Sequence, residues 1–390
     1  MLSTEDTAIE RKIQRIGTIK AGFRQTKDRR YAIESVLRNY YERLRTAQSP
    51  TQEDIARSLN ALHQALNEPE LVEQQLLINF ISEIVRFVEN VGLGFAFSKA
   101  FMDRAIEVYR KAGFSPINLY LEKASLLRLD QLESAEREQA LMEARSYAQA
   151  ANDVEVLLKV LFACAAYYTE VSLYRKSLQL CHECEQLIQS DAQFQKYTAK
   201  LFTYFGMNYT PLFRYQLAKD YLIRAKEMLA ARLASPGEWL QDDFWIGTME
   251  TVHHYLGRIA EAEGNAREAM QYYAEGFRYL SMFHEESLSR AAFNHLRFGE
   301  LLTSVSLLEQ ARDHLRIGQE IFNAIQFSSS GRLQISLAWA ALCNKEGNYA
   351  NARGYLLAAR KEAREKHFPR GELWCLVNLF WLELGHFHLY

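Results

Sequence analysis

Leu256-Gly257-Arg258-Ile259-Ala260-Glu261-Ala262-Glu263-Gly264-Asn265-Ala266-Arg267-Glu268-Ala269-Met270-Gln271-Tyr272-Tyr273-Ala274-Glu275-Gly276 reads as two helices folded against each other. Gly257 and Ala260 lie on one helical stripe, Glu263-Gly264-Asn265 interrupts it, and Ala269, Tyr273 and Gly276 resume it at helical spacing. Gly and Asn in the break supply the positive φ that a tight turn needs. The same register recurs. Its first anchor is Ala165, Gly206, Gly257, Gly299 and Ala340, followed twelve residues later by Ser177, Ala218, Ala269, Ala311 and Ala352. Four residues beyond those stand Cys181, Leu222, Tyr273, Leu315 and Leu356, and three further on Cys184, Ala225, Gly276, Gly318 and Ala359. A side chain without bulk at a crossing point lets antiparallel helices approach closely, and the larger residue one turn later fills the groove beside it.

A small residue, a stripe position three later (Tyr168, Tyr209, Ala260, Leu302, Cys343), then small, bulky and small residues in a second helix: this pattern resembles the tetratricopeptide repeat. The resemblance covers about residues 150–390, with a weaker unit from Leu119 to Tyr147 in which Ala124, Ala140, Ala144 and Tyr147 match after a longer turn. It implies an all-α, right-handed solenoid of helix hairpins over residues 113–390, ending in an incomplete repeat, behind an N-terminal helical region over 1–112. The anchors recur after 41, 51, 42 and 41 residues, whereas the ordinary repeat takes about 34. Either the helices or the connections are longer, and Ser235-Pro236-Gly237 in the longest interval is a loop. Long repeats behind a helical N-terminal region are similar to the peptide-pheromone-sensing regulators of Gram-positive bacteria and to the sensor halves of some large transcription activators.

Composition agrees with an all-α chain of 390 residues. Only 6 prolines and 18 glycines interrupt it. The 46 basic and 48 acidic side chains give a net charge of -2, which argues against a chain whose affinity comes from neutralising many phosphates. Five cysteines dispersed over this length are not a disulfide framework, so a reducing cytoplasm is expected. The acidic start of the chain carries no apolar run of signal-peptide type, and Glu83, Arg86 and Glu89 interrupt the apolar segment of residues 71–92.

In the N-terminal region, helical spacing joins Ile9, Ile13, Ile16 and Phe23, then Ile33, Leu37, Tyr40 and Leu44, then Ile55, Leu59, Leu62 and Leu66, and a fourth helix runs from Leu71 to Val91. Residues 51–60 look like the first helix of a helix-turn-helix. The second helix is missing, because residues 61–66 continue the same stripe without a turn. The basic residues between Arg11 and Arg30 scatter around amphipathic helices and read as a solvated face.

No catalytic constellation emerges. Cys181-His-Glu-Cys184 has the spacing of half a zinc site, yet both cysteines fall on core positions of a second helix, and neither His253-His254 nor His386/His388 has the carboxylate and spacing of a zinc protease. Nucleophile elbows and phosphate-cradling glycine loops are lacking. The reading is a non-enzyme with no metal and no cofactor. In the resembled scaffold the first helices line the concave face, and the register then places Lys159, Phe162, Lys200, Thr203, Met207, Thr251, His254, Arg258, Glu261, Gln334, Leu337, Asn344 and Lys345 there. The basic members suit a carboxylate or acidic side chains, and Phe162, Met207 and Leu337 suit apolar contact with a peptide.

The last segment, residues 374–387, matches a first helix and its turn but no second helix follows. Trp374, Phe380, Trp381 and Phe387 make it apolar nearly all round, which calls for a cover. A homodimer, a missing C-terminal domain, and residues 386–390 folding back as a cap are the three covers the sequence leaves open. The functional expectation is a scaffold or regulatory module that binds a protein or peptide on its concave face. The alternative is a ligand-responsive regulator of the pheromone-sensing type.

Overall fold

The computed structural model describes residues 95–130, 134–233, 243–280, 288–324, 329–365 and 368–387, with scattered positions between 35 and 82. The basic N-terminal segment, the helix-turn-helix-like stretch and the Ser235-Pro236-Gly237 loop lie outside them. All regular structure among the described residues is helical. The chain divides into two compact units, residues 1–122 and 123–390.

The first unit contains α1 (Phe95–Lys111) and the start of α2 (Ile117–Asp130). Its core holds Leu62, Leu66, Leu77, Phe80, Ile81, Met102, Tyr109 and Leu119, all buried. Ser82 donates a 2.7 Å hydrogen bond to Glu122, whose carboxyl burial pushes upward.

The second unit runs through α3 (Ala135–Ala151), α4 (Val154–Glu170), α5 (Tyr174–Ser190), a 3-10 turn over Ala192–Tyr197, α6 (Thr198–Tyr209), α7 (Tyr215–Leu233) and α8 (Asp243–Ala262). It continues with α9 (Ala266–Leu280), α10 (Leu288–Ser304), α11 (Leu308–Ala324), α12 (Ser329–Lys345), α13 (Tyr349–Glu365) and α14 (Pro369–Phe387). The pairs α4/α5, α6/α7, α8/α9, α10/α11 and α12/α13 are the hairpins that the repeat implies, and each second helix packs on the next first helix. First helices also pack on one another, as α4 on α6, α6 on α8, α10 on α12 and α12 on α14, whereas consecutive second helices make no comparable contact among the described residues. First helices therefore line the inner side of the stack.

The small anchors sit where the pattern requires. A Cβ placed on Gly206 would fall 2.3 Å from Leu222 Cγ, on Gly257 2.7 Å from Tyr273 Cε1, and on Gly299 2.5 Å from Leu315 Cδ2. Each clash is with the bulky residue sixteen positions on, which is buried. In the outer repeats Ala165 with Cys181 and Ala340 with Leu356 are buried in the same way. The longest interval has helices of 19 and 20 residues, α7 and α8, where α4, α5 and α10–α13 have 17. Ser177 is the one hydroxyl at its repeat position. It donates to Ala165 O at 3.0 Å and accepts from Asn208 Nδ2 at 3.0 Å, so a buried polar link joins the first two hairpins.

The hairpin turn is more regular than its sequence. Seven residues after each anchor stands a left-handed residue, Ser172, Phe213, Gly264, Ser306 and Gly347, with φ between 57° and 78°. The next residue donates its N–H to the carbonyl five positions back: Leu173 to Tyr168, Arg214 to Tyr209, Asn265 to Ala260, Leu307 to Leu302 and Asn348 to Cys343, at 2.7–3.1 Å. This helix-closing bond satisfies carbonyls the first helix would leave orphaned. Gly meets the φ requirement without strain in two turns only. At Phe213, which is 77% exposed, the left-handed conformation costs an L-residue about 1–2 kcal/mol with little burial in return. Phe213→Gly is expected to raise stability by about 1 kcal/mol in urea titrations followed by circular dichroism, and a loss of stability would refute this account of the turn.

Candidate functional site

A polar network links α8, α10 and α12. On α8, His254 is held neutral: burial, with the Arg297 and Arg258 guanidinium groups beside it, pushes its pKa well below the ordinary value, and Asn294 is its hydrogen-bonding partner. Glu261 accepts a 3.1 Å bond from Tyr273 OH. Burial, with Glu300 nearby, raises its carboxyl. Arg297 on α10 donates to Glu300 at 2.6 Å and to Gln334 of α12 at 2.7 Å, tying two repeats together. Arg258 lies over the Tyr255 ring at 5.5 Å and has no carboxylate within ion-pair distance among the described residues. Two donors that share His254 with it as a neighbour, Asn294 Nδ2 and Arg297 Nε, are buried without a hydrogen-bond partner.

The structure therefore brings His254, Arg258, Glu261 and Gln334 into one network. Thr251 shares their helix but turns its hydroxyl to Gly247 O at 2.9 Å. Lys200, on α6, stands over the Phe162 ring at 4.7 Å, where burial lowers its pKa to about 8. Phe162 is not open to a ligand: it is buried, with Tyr204 at 5.6 Å and Tyr197 at 6.3 Å against its ring. Thr203 is buried too and spends its hydroxyl on Ala199 O at 2.8 Å, because a helical threonine without a polar neighbour bonds back to its own turn. Leu337 packs into the cores on either side of it. Lys159, Asn344 and Lys345 are exposed and Met207 is half-buried.

Asn294, Arg297 and Glu300 were absent from the sequence reading, which assigned nothing to the fourth first helix. Glu300 follows its Gly299 anchor as Arg258 follows Gly257, so the register could have found it. Asn294 and Arg297 fall off that register, on the side of α10 that meets neighbouring first helices. The visible clue was a lone charge inside the apolar run Leu296-Arg297-Phe298-Gly299.

The cysteines pack as small apolar residues. Cys164, Cys181 and Cys184 are buried, and burial pushes the Cys164 and Cys181 thiols up to about 12. Trp374, Phe380 and Trp381 of α14 are exposed. Phe387 ends that helix, and its side chain lies outside the described residues.

Among solved structures, a Rap protein complexed with competence and sporulation factor shares the fold at a TM-score of 0.51 and 14% identity, over 91% of this chain and 98% of that one. The fold is a tetratricopeptide-like solenoid. The Rap conjugation gene regulator of plasmid pLS20 with the Phr* peptide matches the solenoid at a TM-score of 0.52 and 13% identity, over 86% of this chain and 96% of that one. NprR with its cognate peptide NprX matches at 0.51 and 12%, over 90% and 98%. No family model and no curated protein matches the sequence. Among the described residues, no helix of the solenoid or of the first unit is long and apolar enough to cross a membrane.

Proposed function

We propose that the chain is a non-catalytic, peptide- or protein-binding regulatory module whose ligand lies along the first helices of the solenoid and places a carboxylate at Arg258. The observation that carries this reading is the state of the α8–α10 face: among the described residues, a half-buried guanidinium with no carboxylate within ion-pair distance and two buried donors without acceptors. Native structures leave few buried donors unpaired, and each asks for a partner. A carboxylate supplies acceptors for charge-assisted bonds, the strong class of hydrogen bond. Peptides are also the ligands named with two of the solved structures of this fold.

Selection from a displayed library of random linear peptides tests it. Binders enriched in an acidic side chain or a free C-terminal carboxylate are expected. His254→Ala with Arg258→Ala should weaken them by about 10-fold to 100-fold, the effect of one or two lost charge-assisted bonds at 1.5–3 kcal/mol each, without changing the helical circular dichroism. Unchanged affinity in that variant would move the site elsewhere.

A further inference from the structure

We propose that the exposed face of α14 pairs with the same face of a second copy of this chain about a two-fold axis. Leu373, Val377, Phe380 and Leu384 expose 57%, 45%, 62% and 36% of their surface, flanked by Trp374 and Trp381 at 37% and 61%. Their spacing of four, three and four residues is the seam along which one helix packs another. The occupant is therefore helical. At about 150–250 Å² per large side chain these six present on the order of 600 Å² of apolar surface. That is the upper end of the about 300–600 Å² found for the largest patch on a monomer, and it approaches the roughly 800 Å² that each partner gives to a standard interface.

Two further observations select a second copy over another helix of the same repeat. Trp381 stands 41 residues after Ala340, at the position that is Ala or Gly in the five hairpins. There the second helix comes so close that even a Cβ on Gly206 would lie 2.3 Å from Leu222. An indole bars that approach, so a sixth hairpin cannot close in the manner of the others. The seam itself also carries no charge. Glu372 and Glu383 at its edges are held by Arg360 and Arg353 of α13 at 3.2 and 3.0 Å. A face that is apolar throughout can meet its own copy without setting like charges together, as an isologous interface requires.

Sedimentation velocity on the full chain across the micromolar range is expected to show a dimer. Phe380→Glu with Trp381→Glu, both at exposed positions, should give a monomer with unchanged helical circular dichroism. An antiparallel pairing sets Val377 of one copy opposite Phe380 of the other. Mixing Val377→Cys and Phe380→Cys chains under mild oxidation should therefore yield a disulfide-linked pair, against a low background because the native cysteines are buried. A monomeric wild type, or a dimer that survives the double glutamate substitution, overturns the proposal.

Discussion

Gly206→Val is expected to destabilise the second unit by about 3 kcal/mol or more, at the upper end for overpacking a filled core. The first added atom already has no room: Leu222 Cγ would be 2.3 Å and Cδ2 2.5 Å from it. Leu222 is fully buried and its Cγ is the branch point, not the tip, so relief requires the side chain or α7 itself to move. Gly206→Ala tests the same contact more gently. Overpacking by one carbon costs about 1–3 kcal/mol, and the gain from replacing a mid-helix glycine returns about 0.5–1 kcal/mol, leaving a net loss centred on about 1 kcal/mol. Gly354 supplies the opposite sign. It is exposed within α13 with nothing within 4 Å of its added Cβ, so Gly354→Ala should stabilise by about 0.5–1 kcal/mol. In a Leu222→Ala background the cost of Gly206→Ala should shrink by at least about 1 kcal/mol, the coupling expected of residues in contact. Urea midpoints for the wild type and these five variants measure all of this. A neutral Gly206→Ala would mean that the anchors are not crossing points.

That contact shows why the fold could be read from the residues. A hairpin crossing depends on a local pair of volumes, Gly206 against Leu222 or Gly257 against Tyr273, set at fixed spacing and repeated five times. The turns were half legible. Gly264 and Gly347 announce a left-handed residue, but Ser172, Phe213 and Ser306 adopt the same φ because both flanking helices are already fixed by packing. Tertiary contact overrides local preference there. The site was less legible still. His254, Arg258, Glu261 and Gln334 follow the repeat register, whereas Arg297 reaches Gln334 across 37 residues of sequence, a contact that depends on the stagger of α10 against α12. Periodicity within one helix carries no information about that stagger. Phe162 was placed on the correct helix, and its burial beneath Lys200 and Tyr204 follows from side chains of the next repeat.

Acid should begin to destabilise the second unit above the range in which carboxylates titrate, because burial lowers the pKa of four of its histidines, His253, His254, His295 and His314. His253 is buried against Tyr272 and Tyr279, with Nδ1 unpaired, and burial together with Lys226 and Arg278 outweighs Glu275 and lowers its pKa to about 4. His295 packs edge-on to Phe277 at 4.8 Å and meets His314 Nδ1 to Nδ1 at 3.0 Å, so one ring must donate and the other accept; burial, with His314 opposite, lowers the His295 pKa to about 4 as well. Above pH 6.5 both rings are neutral whether folded or not, and they cost nothing. As pH falls from 6.5 towards 4 the unfolded chain takes up protons that the folded chain refuses, so stability declines across that window and levels off below it. A shift of about 2.5 units at 1.36 kcal/mol per unit sets an upper bound of about 3 kcal/mol for each ring. Glu261 works in the opposite direction within the same window, since its raised pKa lets the folded state bind a proton first. The expected net effect is a loss of several kcal/mol between pH 6.5 and 4. His253→Phe with His295→Phe removes two of these rings while keeping aromatic volume and leaves His254 and His314 in place, so it should make the stability profile shallower over that range and leave stability at pH 7.5 within about 1–2 kcal/mol. Urea unfolding at half-unit pH intervals reads out the slope. An unchanged slope in the double variant would show that the acid sensitivity resides in other groups and that these rings protonate without loss of packing.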